Sequence, residues 1–174
     1  MARAPSLRIG VTGHRAFDRP ADVRAAVTRV VAALLDQHGG PLEVWSSLAE
    51  GADRLVADVA LALDPAARLV AVLPLPADDY RTDFAAPASA AEFDRLLGLA
   101  ADVHVTGADP DDGSRESAYA RGGHAVVAAV QVLVAVWDGE PPRGEGGTAE
   151  IVGAARAAGR EVVVIPVTRA PAAS

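Results

Sequence analysis

The stretch "VLVAVWDGEPPRGEGGTAEIVGAARAAG", residues 132–159, decides how this chain is read. Five apolar residues at 132–136 run without a polar break, as a strand buried on both faces does. A loop with glycines at 139, 144, 146 and 147 follows. From residue 146 an alanine-rich stretch has helical spacing and stops at Gly159, a residue suited to a helix C-terminus. Strand, glycine-rich loop and helix in that order form the repeating unit of a parallel α/β sheet. The loop raises a functional question as well. It is either a plain turn or a cradle for a phosphate, since helix N-termini offer free N–H groups and a positive dipole end.

The same alternation runs outward in both directions. "LRIGVTG" (7–13), "LEVWSSL" (42–48), "ARLVAVLPLP" (67–76), "DVHVTG" (102–107), "QVLVAVWDG" (131–139) and "EVVVIPV" (161–167) read as strands. Helices are expected over 20–40, opened by Pro20 and closed by Gly39-Gly40, and over 50–63, 89–100, 117–130 and 146–159. Residues 77–89 read as irregular, and 107–117 as an exposed polar loop. Apolar strands alternating with helices predict an α/β fold: a Rossmann-like, doubly wound parallel sheet in three α/β/α layers. The expected domain is single, 1–174, with its core over 7–167 and a loose tail over 168–174.

Composition narrows the function. Of 174 residues 51% are apolar and only 4% aromatic, so the core is built from Ala, Val and Leu. The formal net charge is −7. That excludes duplex nucleic acid as the main partner, which calls for a basic face, but not a small nucleotide. There is no cysteine, so no disulfide or thiolate metal site is expected. No run approaches the ~20 apolar residues of a membrane span. The N-terminus lacks a long apolar leader segment, and a cytoplasmic location without membrane insertion is expected.

A parallel sheet sends every strand's carboxyl end to one edge, where ligands bind. Four segments meet there: "TGHR" (12–15), "SSLAEGADR" (46–54), "PLPADDYRTDF" (74–84) and "WDGEPPRGEGGTAE" (137–150). From them come the candidate ligand and phosphate contacts: Gly13, His14, Arg15, Ser47, Gly51, Ala52, Asp53, Tyr80, Trp137, Asp138, Gly144, Gly146, Gly147 and Thr148. Arg15 suits a phosphate because its planar fork matches oxyanion geometry. Asp53 and Glu50 either hold a ribose or base, or are first-turn acids facing a helix dipole. Tyr80 and Phe84 either stack on a base or pin their loop to the core. Asp78, Asp79 and Asp83 lack the ligand pattern of a calcium loop, and His104 and His124 lack metal-ligand spacing. No metal and no bound cofactor are expected. "GVTGHR" lacks the glycine spacing of a dinucleotide fingerprint, and "GEGGTAE" lacks the Lys-Ser/Thr of a Walker A loop.

"GVTGHR", "SSLAEGADRLVA", "VLPLPADDYRTDF" and "LVAVWDGEPPRGEGGTAEIV", in this order, resemble the SLOG superfamily. It groups DNA-processing protein A, the lonely-guy hydrolases and the N-terminal domains of TRPM channels. The resemblance runs over about residues 7–167. It implies a Rossmann-like domain that binds nucleotides or nucleotide-derived molecules such as ADP-ribose, often as a sensor. It also implies that Gly13–Arg15 touch phosphate or ribose, that Gly51–Asp53 lie beside the ligand, and that Gly146–Thr148 match the phosphate-binding part of the hydrolases' "PGGxGTxxE" motif. The run here is "RGEGGT", without the proline. The hydrolases' catalytic glutamate falls on Ile151, and Glu150 is one place early. Two readings follow. In the first, the chain is a binding or sensing domain that reports through a partner effector protein or as a homo-oligomer. In the second, it is a phosphoribohydrolase that cleaves nucleoside monophosphates with Glu150.

Overall fold

The computed structural model describes residues 5–142 and 146–170. Gly144 and the end of the expected tail, 171–174, lie outside the described residues. The elements are β1 (Leu7–Gly13), α1 (Pro20–His38), β2 (Leu42–Ser46), α2 (Ala52–Leu63), β3 (Arg68–Leu73) and α3 (Ala77–Arg81). They continue with α4 (Pro87–Leu99), β4 (Asp102–Val105), α5 (Arg115–Ala129), β5 (Val132–Trp137), α6 (Thr148–Ala157) and β6 (Glu161–Pro166). Among the described residues all strand pairings in the six-stranded sheet are parallel, in the order β4-β3-β2-β1-β5-β6. The fold is a three-layer, Rossmann-like α/β sandwich in a single domain.

Residue parity builds the layers, because successive strand side chains point to opposite faces. Ile9, Val11, Val44, Leu69, Ala71, Val134 and Val136 join the larger core with α1, α2 and α4. Leu133, Ala135 and Val72 face the other way, onto Val126, Val127, Ile151 and Val152 of α5 and α6. The inner strands β3 and β5 read as apolar runs because both faces are covered, whereas β4, at the sheet's edge, is exposed along its length and is not covered as expected.

The chain moves outward from β1 to β4, and α5 then brings it back to the far side of β1. The direction of winding therefore reverses between β1 and β5, whose register pairs Gly13 with Val136. A crevice forms at such a reversal because the loops leaving the two strands turn to opposite faces of the sheet.

Three expectations need correction. The segment 77–89 is not irregular: Ala77–Arg81 form one short helix, and α4 begins at Pro87. Its five helical residues are too few to show an apolar period. The chain is not loose from residue 168. Asp18 N–H donates to Thr168 O (2.9 Å), and Phe17 and Arg169 form an antiparallel bridge. The polar loop ends sooner than expected, since Ser114 accepts from the Ser117 amide and caps α5.

Candidate functional site

A cleft of about 910 Å³ opens at the β1/β5 reversal. Gly13, His14, Arg15, Ser47, Asp53, Tyr80, Gly146, Gly147 and Thr148 line it. Thus nine sequence candidates from four separate segments share one cavity. Ile151, on which the hydrolases' glutamate position falls, also lines it, as do Tyr119 and Arg169, which were not anticipated.

The first wall is the loop after β1. His14 N–H extends the β1–β5 ladder to Val136 O at 3.0 Å, and its side chain is buried, 5% exposed. Arg169 Nη2 lies 3.0 Å from His14 Nδ1. An arginine only donates, so Nδ1 is the acceptor and the neutral ring carries its proton on Nε2. Nε2 sits 3.0 Å from Asp138 Oδ1 and donates to it. The Asp138 amide is 3.1 Å from the same nitrogen, but it cannot donate to a nitrogen that already holds a proton. Burial acts to raise the Asp138 carboxyl. The Glu140 amide, His14 and Arg169 outweigh it and hold the group below its ordinary range. His14 is thus a strut between Asp138 and Arg169, with both ring nitrogens used. Arg15 is exposed, lies over the Tyr119 ring at 5.7 Å, and makes no ion pair among the described residues.

The second wall is the entry to α2. Gly51 has φ +78°, and a Cβ there would lie 2.4 Å from the carbonyl oxygens of both His14 and Arg15. Only glycine lets these two loops cross so closely. Gly51 and Ala52 therefore support the wall from behind instead of lining it. The Ala52 amide is already taken by His14 O at 3.1 Å. Asp53 is 7% exposed. Burial pushes its carboxyl from 3.8 up to about 7, against the opposing pull of the Ala49 and Ser47 amides, Arg15 and Arg54. Glu50 turns away from the cleft to accept from the Ser89 hydroxyl. Arg54 holds the turn by donating to Leu48 O at 2.9 Å and stacking over Phe84 at 4.3 Å.

The third wall is aromatic. Tyr80, 1% exposed, meets Phe84 and Phe93 edge-on at 5.0 and 5.6 Å. It both pins α3 to the core and lines the cleft, whereas Phe84 only pins. Tyr119 donates to Asp83, and Arg115 pairs with Asp79 (2.8 Å) and Asp83 (2.6 Å). Those two acids therefore anchor α5 to α3 and to the turn that follows it.

The fourth wall is the start of α6. Gly147 is the N-cap and Thr148 the first helical residue. Gly146, at φ +71°, packs where a Cβ would meet the Ala120 amide at 2.7 Å. Glu150 reaches back to accept from the Gly146 amide at 2.7 Å and contacts His124 Nε2 at 3.0 Å. The carboxylate is held on the α5 side, and Ile151 faces the cleft. Trp137 also lies off the cleft. Its parity sends it to the α5–α6 face with Val162.

Arg169 escaped the sequence reading because it was assigned to a tail. A signal existed, since residues after the last parallel strand share the edge of all the others. Among the described residues no group of three or more His, Asp or Glu side chains is arranged to hold a metal ion. No helix among them is long and apolar enough to cross a membrane. No protein-family model matches the chain, and no curated protein matches it. Fold and cleft define a Rossmann-like α/β protein with its pocket at the winding reversal.

Proposed function

We propose that this chain binds a nucleotide or nucleotide-derived phosphate in the β1/β5 cleft and acts as a ligand-sensing domain of the SLOG type. The observation that carries the reading is the cleft's anion-binding end. Gly146, Gly147 and Thr148 bring the N-terminus of α6 to its wall, and the cations Arg15 and Arg169 line the same space. Helix N–H groups and guanidinium forks are the groups that recognise phosphate. The volume, about 910 Å³, suits a ligand of nucleotide size or larger.

The position of Glu150 supports sensing over hydrolysis. Its two oxygens are engaged by Gly146 and His124, and an aliphatic side chain occupies the wall instead. A sensor must report occupancy, through an effector protein or through self-association, and this one is proposed to do so in the cytoplasm. Titration calorimetry with AMP, ADP-ribose, NAD and cyclic nucleotides tests the reading, together with mass spectrometry of small molecules released from the purified protein. Binding of at least one nucleotide is expected. Absence of heat with all of them, and of any co-purified ligand, refutes it.

A further inference from the structure

The polar groups of the cleft are sorted by charge. Arg15, Arg169 and the start of α6 supply positive potential. Asp53 is the acidic side chain on the lining. It is 7% exposed and has no ion pair among the described residues. Tyr80 is 1% exposed and lines the same cleft. The two line one cleft, and besides burial the Asp53 charge acts to raise the Tyr80 phenol. Buried polar groups are normally satisfied. The Ala49 and Ser47 amides already donate to the Asp53 carboxyl, and the cleft that both side chains line is where a ligand can supply further partners.

Building on the nucleotide reading, we infer that Asp53 and Tyr80 grip the vicinal hydroxyls of a ribose, making the site selective for ribonucleotides over 2′-deoxynucleotides. A carboxylate only accepts hydrogen bonds, so its partner must bring donors. A cationic donor is disfavoured because the Arg15 charge already acts on Asp53 and Arg169 lines the same space. Two neutral donors on adjacent carbons match the two carboxylate oxygens, and a cis-diol presents them. A site built to bond a hydroxyl rejects the analogue lacking it, because its own groups are then left unpaired.

The contact is linked to protons. The charges of Arg15 from the β1–α1 loop and Arg54 from α2 act on Asp53, along with the Ala49 and Ser47 amides, and Asp53 in turn acts on Tyr80 of α3. Burial outweighs them and sets the titration at about 7. The diol pairs with the ionised carboxylate, so preference for the ribonucleotide rises with pH through that value.

The test is calorimetry of AMP and 2′-deoxyAMP at about pH 6 and about pH 8 on the wild type, Asp53→Asn and Tyr80→Phe. Both nucleotides carry the same phosphate, so its titration cancels in the ratio of affinities. At the higher pH the wild type is expected to prefer AMP by about tenfold to a hundredfold, the range of a hydrogen bond to a charged group. The preference shrinks at the lower pH, disappears in Asp53→Asn and is reduced in Tyr80→Phe. Equal wild-type affinity for the two nucleotides overturns this inference and leaves nucleotide binding standing. So does a preference that survives in a folded Asp53→Asn. Should Asp53→Asn not fold, the wild-type pH profile and Tyr80→Phe decide. Failure of the wild type to bind either nucleotide or any of the wider panel ends both readings.

Discussion

Arg169 Nη2 donates to His14 Nδ1 at 3.0 Å, joining residues 155 positions apart. The bond fixes the histidine tautomer and holds a guanidinium on the lining of the cleft. It gives the cleft two cations with different duties. Arg15 is exposed and its charge is free of ion pairs among the described residues, whereas Arg169 is tied to His14 and, at 3.7 Å, to Asp138.

The two cations should separate in mutagenesis. Arg15→Ala is expected to weaken nucleotide binding by about tenfold to a hundredfold, as loss of a charge-assisted bond does, with an unchanged thermal midpoint. Arg169→Ala is expected to weaken binding and to lower the midpoint as well, because His14 loses the partner that holds its ring. Calorimetry and thermal melts on both variants make the comparison. An Arg15 variant that binds normally places the phosphate elsewhere.

Stability should depend on pH through Asp53. Its carboxyl is raised in the folded state, from 3.8 to about 7, so folding favours the protonated form. The stabilisation is complete below about pH 4, declines as pH rises toward 7 and is gone above it. The shift corresponds to about 4 kcal/mol at most. Asp53→Asn cannot ionise, so urea unfolding should show it gaining on the wild type between about pH 4 and pH 8. Parallel pH profiles for the two proteins would mean the carboxyl is not held in an apolar setting.

Glu150 is expected to matter for structure and not for turnover. Free base should not be released from AMP by the wild type at a rate above that of Glu150→Gln. Glu150→Ala removes the acceptor for the Gly146 amide and should cost ~0.5–2 kcal/mol, as loss of a helix-capping contact does. Base release by the wild type that vanishes in Glu150→Gln would make the protein a hydrolase.

Gly51→Ala is expected to be among the most damaging small changes. The new Cβ would sit 2.4 Å from two carbonyl oxygens, at a backbone φ of +78°. A loss of at least ~2 kcal/mol is expected from the backbone strain, read by urea unfolding. Ligand affinity should fall with it, since Arg15 is displaced.

The layers were legible because six apolar runs alternate with five amphipathic or alanine-rich stretches, and parallel pairing leaves one carboxyl edge. The convergence of residues 13–15, 47, 53 and 146–148 followed from that rule alone. Trp137 was misplaced although the signal was present: parity with Leu133 and Ala135 assigns it to the α5–α6 face. The His14–Asp138–Arg169 chain was not legible, because tertiary side-chain pairing over more than a hundred residues leaves no local pattern. Neither was the direction of Glu150, which depends on whether Gly147 or Thr148 caps α6.

The central place of β1 has a consequence during synthesis. β1 precedes the other strands of its sheet in the chain, and β2 can cover one of its edges soon after emerging. The other edge waits for β5, so that Arg8 N–H meets its acceptor on Gln131 only 123 residues later. Until then the nascent chain carries a half-built sheet whose middle strand is exposed as an edge, open to wrong pairing. Ribosomal pausing before residue 132 would prolong that exposed-edge state, in which the cleft, built from both sides of β1, is not yet formed.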